Sequence, residues 1–164
     1  MSPARSAASH GPLLAAAVAL GLLVSGCSGG PVQVPVPSPD AAEAALCETL
    51  SYPEKVNGLE RRETDPSSPY VAAWGSPAIA VRCGVARPTD PDSGLIERIV
   101  TVDGLDWLPA AGDRPSTWTL VARNVYVEVT IPQEYTPAGS PPGELLTEFT
   151  STLDALPKKP EDQY

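Results

Sequence analysis

The sequence predicts an α+β domain: a small, mainly antiparallel sheet of about five strands, one helix before it, one helix after it, and one disulfide. Three observations predict it. Apolar residues recur at helical spacing just after Asp40 and again from Leu145 to Leu156. Between them, Ala78–Val85 and Val125–Ile131 alternate apolar and polar residues with the period of two that a half-buried strand needs. Two cysteines, Cys47 and Cys83, fall on the apolar faces of the first helix and the first alternating strand.

Each element has its own local warrant. Asp40 follows Ser38-Pro39 and can cap a helix, with Glu43 three residues on as its capping-box partner. Ala42, Leu46 and Leu50 then line one face beside Cys47, and Pro53 ends the helix. Residues 54–70 are polar, place Arg61 and Arg62 between Glu60 and Glu63, and read as loop or a short edge strand. In the first alternating strand Ile79, Val81, Cys83 and Val85 share one face, and Arg82 and Gly84 take the other.

Ile96–Val102 and Leu105–Leu108 flank Asp103-Gly104, a strong signal for a two-residue hairpin. Thr117–Ala122 and Val125–Ile131 flank Arg123-Asn124, a second hairpin. In its return strand Val125, Val127, Val129 and Ile131 face inward, and Tyr126, Glu128 and Thr130 face outward. After Pro141-Pro142, Leu145, Leu146, Phe149, Leu153 and Leu156 form the stripe of a closing helix, whose C-terminal dipole suits Lys158 and Lys159.

The N-terminus reads as an address. Leu13–Val24 is apolar throughout; its 12 residues fall short of the roughly 20 that span a bilayer but fit a secretory h-region. Val24-Ser25-Gly26-Cys27 then looks like a bacterial lipobox, with small residues flanking a thiol that takes a diacylglyceryl thioether. An ordinary signal peptide with an incidental cysteine is the plainer alternative, and no Ala-x-Ala site follows the apolar run to support it. The expected organisation is a lipoprotein signal peptide over 1–26, a lipidated Cys27 with a Pro-rich tether over 27–39, and a single domain over 40–164. Pro31, Pro35, Pro37 and Pro39 favour polyproline II in that tether. At about 3.1 Å per residue it would hold the domain on the order of 35 Å from the lipid.

Composition excludes several functions. The chain has 164 residues, 11 Lys+Arg against 20 Asp+Glu, and a formal charge of -9. That balance argues against nucleic acid, whose phosphates need clustered Lys and Arg. The single histidine is His10, inside the signal peptide, so the mature chain has no imidazole base, triad or ligand. With Cys27 lipidated, Cys47 and Cys83 remain as an even pair in an exported protein, and a disulfide between them is expected. A metal would need further ligands, and there is neither His nor Cys-x-x-Cys to supply them. No metal or other cofactor is expected.

Asp90-Pro91-Asp92-Ser93-Gly94 begins like a calcium loop but puts Thr101 where the bidentate Glu belongs, so it reads as a solvated turn. No Gly-x-Ser-x-Gly elbow or phosphate-cradling glycine loop is present, and no catalytic residue is assigned. The candidate binding residues are Trp74, Arg82, Trp107, Trp118, Arg123 and Tyr126. Exposed rings beside the two arginines would make a face for an anion, a glycan or a protein. The competing reading has the tryptophans completing a thin core.

Cys47, Pro69-Tyr70-Val71-Ala72-Ala73-Trp74-Gly75-x-Pro77, Arg82-Cys83-Gly84-Val85, Gly104-x-Asp106-Trp107 and Arg123-x-x-Tyr126-Val127-Glu128-Val129 occur in that order. On these motifs the chain resembles the actinobacterial secreted or lipid-anchored proteins grouped as domain of unknown function 3515, over roughly residues 45–156. The resemblance implies an actinobacterial cell envelope and brings no established activity. The expectation is a non-enzymatic lipoprotein on the outer face of the cytoplasmic membrane, bound to the membrane by its lipid and meeting an envelope protein or a cell-wall precursor. The alternative is an accessory cell-wall hydrolase or transferase that works through carboxylates.

Overall fold

Asp40 starts the first helix with a complete capping box: its carboxylate accepts from the Ala42 and Glu43 amides, and the Glu43 carboxylate accepts from the Asp40 amide. The helix, α1, runs Ala41–Cys47 and stops well before Pro53. In the computed structural model, which describes residues 29–89, 96–110, 116–136 and 143–160, the described residues form ten strands, one before α1 and nine after it. They are β1 (Val32–Gln33), β2 (Lys55–Val56), β3 (Leu59–Arg62), β4 (Thr64–Asp65), β5 (Val71–Trp74), β6 (Ile79–Cys83), β7 (Val100–Val102), β8 (Leu105–Pro109), β9 (Ser116–Leu120) and β10 (Val127–Ile131). Eight of them form one antiparallel sheet in the order β2-β3-β5-β6-β10-β9-β8-β7, and β1 pairs with β4 in parallel.

The sheet is wider than the expected five or so strands because residues 54–70, read as loop or a short edge strand, supply β2 and β3, and Val71–Trp74 adds β5. Asn57 and Gly58, at φ 52° and 71°, make the tight turn between β2 and β3. Asp103 and Gly104, at φ 49° and 79°, do the same between β7 and β8, as expected. Positive φ at both central residues gives a turn whose twist matches that of the flanking strands. The second expected hairpin joins β9 to β10, but Leu120 pairs with Val127, so a longer connection carries Arg123 and Asn124.

Alternation assigns the faces. Ala72, Trp74, Ile79, Val81, Cys83, Leu105, Trp107, Leu120, Val127, Val129 and Ile131 form the main core together with Leu146, Phe149, Leu153 and Leu156. The disulfide Cys47–Cys83 fastens α1 to that face, with its Cα atoms 5.7 Å apart. The closing helix is less regular than its apolar stripe suggests: α2 (Gly143–Leu146) passes through a 3₁₀ turn, Thr147–Phe149, into α3 (Thr150–Leu153). Threonine is a poor helix former, and the Thr147 hydroxyl bonds back to the Glu144 carbonyl at 2.6 Å. Lys158 and Lys159 lie beyond this helix. The backbone of Lys159 bonds to the Ala122 carbonyl, tying the C-terminal segment to the β9–β10 connection.

The Pro-rich stretch is not a free tether. Residues 30–39 cross the other face of the sheet as a strap. The Val32 amide donates to the Glu63 carbonyl at 2.8 Å, and Val34, only 2 % exposed, packs on Val71 and Ala73. Two arginines hold it: Arg62 donates to the carbonyls of Gly29, Gly30 and Gly75, and Arg82 to that of Pro35. Gly84 receives its end, because at φ 82° a Cβ there would lie 2.5 Å from Pro39 Cβ. Prolines keep the segment extended and remove amides that would otherwise need partners, while its valines supply the burial that docks it.

Candidate functional site

The six candidate binding residues separate into three groups. Trp74 and Trp107 are 0 % exposed and belong to the core, so neither contributes to a surface. The Trp74 indole donates to the Pro53 carbonyl at 2.9 Å and lies edge-on to Tyr52 and Phe149, with centroids 6.1 and 5.6 Å away. This arrangement joins β5 to the closing helix through an aromatic stack. Gly75 follows because a Cβ there would come within 2.6 Å of Leu59 Cδ1, and its φ is 73°. Trp118 is half-buried, packs against the same core and donates to the Ser116 hydroxyl.

Arg123 is 3 % exposed, not a surface guanidinium. It donates to the carbonyls of Leu156 and Asp154 and pairs with the Asp154 carboxylate. It satisfies backbone groups that the end of the closing helix leaves open.

Arg82 and Tyr126 are the two candidates that share a cavity. On β6, Arg82 faces the strap and pairs across the strand with Glu128 of β10, at 2.8 Å. Tyr126 was expected to face outward, but only 8 % of it is exposed. It precedes β10, packs with Val85, Leu108 and Val121, and takes the Lys159 ammonium over its ring at 3.9 Å. Between them lies an open cleft of about 410 Å³, lined also by Pro37, Ser38, Glu43, Gly84, Val85, Ala86 and Arg87. Its wall is the end of the strap, so its shape depends on Pro39 seating on Gly84. The cleft combines guanidinium, carboxylate, hydroxyl and apolar surface, a lining suited to gripping a polar chain or a small zwitterion.

A second cavity, of about 370 Å³, opens near the start of the strap and is lined by Arg61, Arg62, Thr64, Ser67 and Ser68, among others. Sequence reasoning missed it because residues 54–70 read as loop or a short edge strand; Asn57-Gly58 was the signal that a hairpin begins there. Tyr52 is a buried ionisable group of the core: loss of water around its phenol pushes its pKa well above the ordinary tyrosine value, and nearby Arg61 opposes this only in part. Its hydroxyl, the Trp107 indole nitrogen and the Thr150 hydroxyl are buried without a hydrogen-bond partner among the described residues.

Among the described residues no group of three His, Cys, Asp or Glu is placed to hold a metal, and no helix is long and apolar enough to cross a membrane. Cys27, the Asp90–Gly94 turn and the Pro141-Pro142 pair lie outside the described residues.

The model of the family described as "protein of unknown function (DUF3515)" matches residues 12–160. The chain belongs to the DUF3515 family. No curated protein and no solved structure matches it. In this DUF3515 protein the motifs behind the resemblance do architectural work. Trp74-Gly75 closes the core, Cys83-Gly84 holds α1 and the strap, and Gly104-x-Asp106-Trp107 supplies half of the β7–β8 turn and a core ring.

Proposed function

We propose that this DUF3515 protein is a lipid-anchored component of the cell envelope, on the outer face of the cytoplasmic membrane, acting as a non-enzymatic binding or scaffolding module. The observation that carries the reading is the division of labour among the candidate residues. Trp74, Trp107 and Arg123 are spent inside the fold, whereas Arg82 and Tyr126 meet at an open cleft that Ala86 and Arg87 also line. The Val-Ser-Gly-Cys site supports the anchor, and a bonded Cys47–Cys83 pair suits an exported domain. A mature chain without histidine has few groups that titrate near neutral pH, which favours binding over proton-transfer chemistry. An envelope protein or a cell-wall precursor is the proposed partner.

The test is photo-crosslinking in native membranes from a probe at Ala86, inside the cleft, against one at Thr101, on the exposed edge strand. A discrete adduct from position 86 alone is expected. The same adducts from both positions would contradict a partner at the cleft. Multiple turnover of a cell-wall fragment, lost in Glu43→Gln, would overturn the non-enzymatic reading.

A further inference from the structure

We infer that in the lipidated protein the docked strap seats the domain directly on the bilayer, with its Gly75 end against the headgroups and the Arg82–Tyr126 cleft facing away. The inference rests on the lipid attachment at Cys27 proposed above.

The leash is short. Only Ser28 separates Cys27 from Gly29, whose carbonyl the Arg62 guanidinium holds at 2.8 Å, with that of Gly30 at 2.6 Å. Two residue steps span at most about 7 Å. A headgroup layer is about 5–8 Å thick, so a lipid chain on Cys27 leaves almost no stalk. The same guanidinium bonds the Gly75 carbonyl at 2.8 Å, so the chain leaves the domain at the β5–β6 turn.

That end suits a lipid surface. Gly29-Gly30-Pro31 and Gly75-Ser76-Pro77-Ala78 carry no charge, and Glu60, whose carbonyl accepts from the Gly75 amide, is paired with Lys55, in a chain whose residues from Cys27 onward sum to about -10. Tyr135 borders the turn and donates its hydroxyl to the Pro77 carbonyl at 2.8 Å. Tyrosine is at home at the headgroup level, whereas the acidic remainder is repelled by anionic lipid. The cleft lies at the other end. Ile79 shares a sheet row with Trp74, next to the turn, and Gly84 is five residues farther along, roughly 17 Å at the rise of a strand.

The test uses the full lipidated protein in phosphatidylcholine vesicles containing a lipid with a nitroxide headgroup. Ser76→Cys and Ala86→Cys, both at exposed positions, each carry a fluorophore on the added thiol. At least two-fold stronger quenching at position 76 than at 86 is expected. Equal quenching, or stronger quenching at 86, in protein that sediments with the vesicles would overturn the seating while leaving the anchor standing. Protein that does not sediment would overturn both. Twelve Gly/Ser residues inserted between Ser28 and Gly29 leave the domain's contacts untouched and should erase the difference. A difference that survives the longer leash would mean that the strap does not set the orientation.

Discussion

Arg123 and Leu156 close the molecule's C-terminal end. The Arg123 guanidinium donates to the Leu156 carbonyl at 2.6 Å while buried beneath the turn that follows α3. Its carboxylate partner, Asp154, has a side chain 67 % exposed, so the two ends of this ion pair differ in weight. Removing the buried partner strands carbonyl groups, whereas removing the exposed one weakens a solvent-screened contact. Arg123→Ala should therefore lower unfolding stability by about 2–4 kcal/mol, and Asp154→Asn by less than about 1 kcal/mol, measured by urea denaturation. Equal losses would contradict the assignment.

Trp74 is a packing residue, not a contact for partners. Trp74→Ala removes the ring that spans Tyr52 and Phe149, and should cost about 3–5 kcal/mol. Half-buried Trp118 should cost less, about 1–2 kcal/mol when truncated. Thermal melts of the two variants check the order.

Gly84 is the seat of the strap. Gly84→Ala places a methyl 2.5 Å from Pro39 Cβ at a φ of 82°, and should cost about 1–3 kcal/mol. The loss should be local as well as global. Hydrogen exchange at the Val32 and Val34 amides, which bond to Glu63 and Asp65, should accelerate ahead of exchange in β6 and β10. Unchanged exchange in the strap would show that Pro39 is not held there.

Much of this was readable locally. The Asp40 capping box, the Asp103-Gly104 turn, the alternation of β6 and β10 and the Cys47–Cys83 pairing each depend on neighbours within a few residues or on a forced choice of partner. The strap was hidden because prolines favour one extended conformation whether the chain is free or docked. The signal was Val32, Val34 and Val36 at alternate positions between the prolines, the pattern of a half-buried strand. The six binding candidates divided between core and cleft for a related reason. Residue type marks Trp and Arg as hot-spot formers, but only long-range pairing decides whether they meet a partner or the protein's own backbone. Tyr126 shows this: it is set apart from the main core that holds Val125 and Val127, as alternation expects, but Val85, Leu108 and Val121 pack over it.

Tyr52 makes alkaline stability a probe of the core. Its folded pKa is raised above the unfolded value of 10.0, so the folded state holds the phenolic proton more tightly. Its contribution is fully present below about pH 10 and is lost as pH rises above it. Because its hydroxyl has no partner among the described residues, Tyr52→Phe should leave neutral-pH stability within about 1 kcal/mol and flatten the decline above pH 10. Denaturation midpoints from pH 7 to 11 check this; parallel declines in both proteins would contradict it.

The central claim is that this domain is held at the membrane by lipid on Cys27. Its most direct test is the intact mass of the protein extracted from the membrane fraction of its native host. The expected result is a chain beginning at Cys27 with added acyl mass, lost from the membrane in Cys27→Ala. An unmodified chain recovered from the medium and beginning at another residue would contradict it.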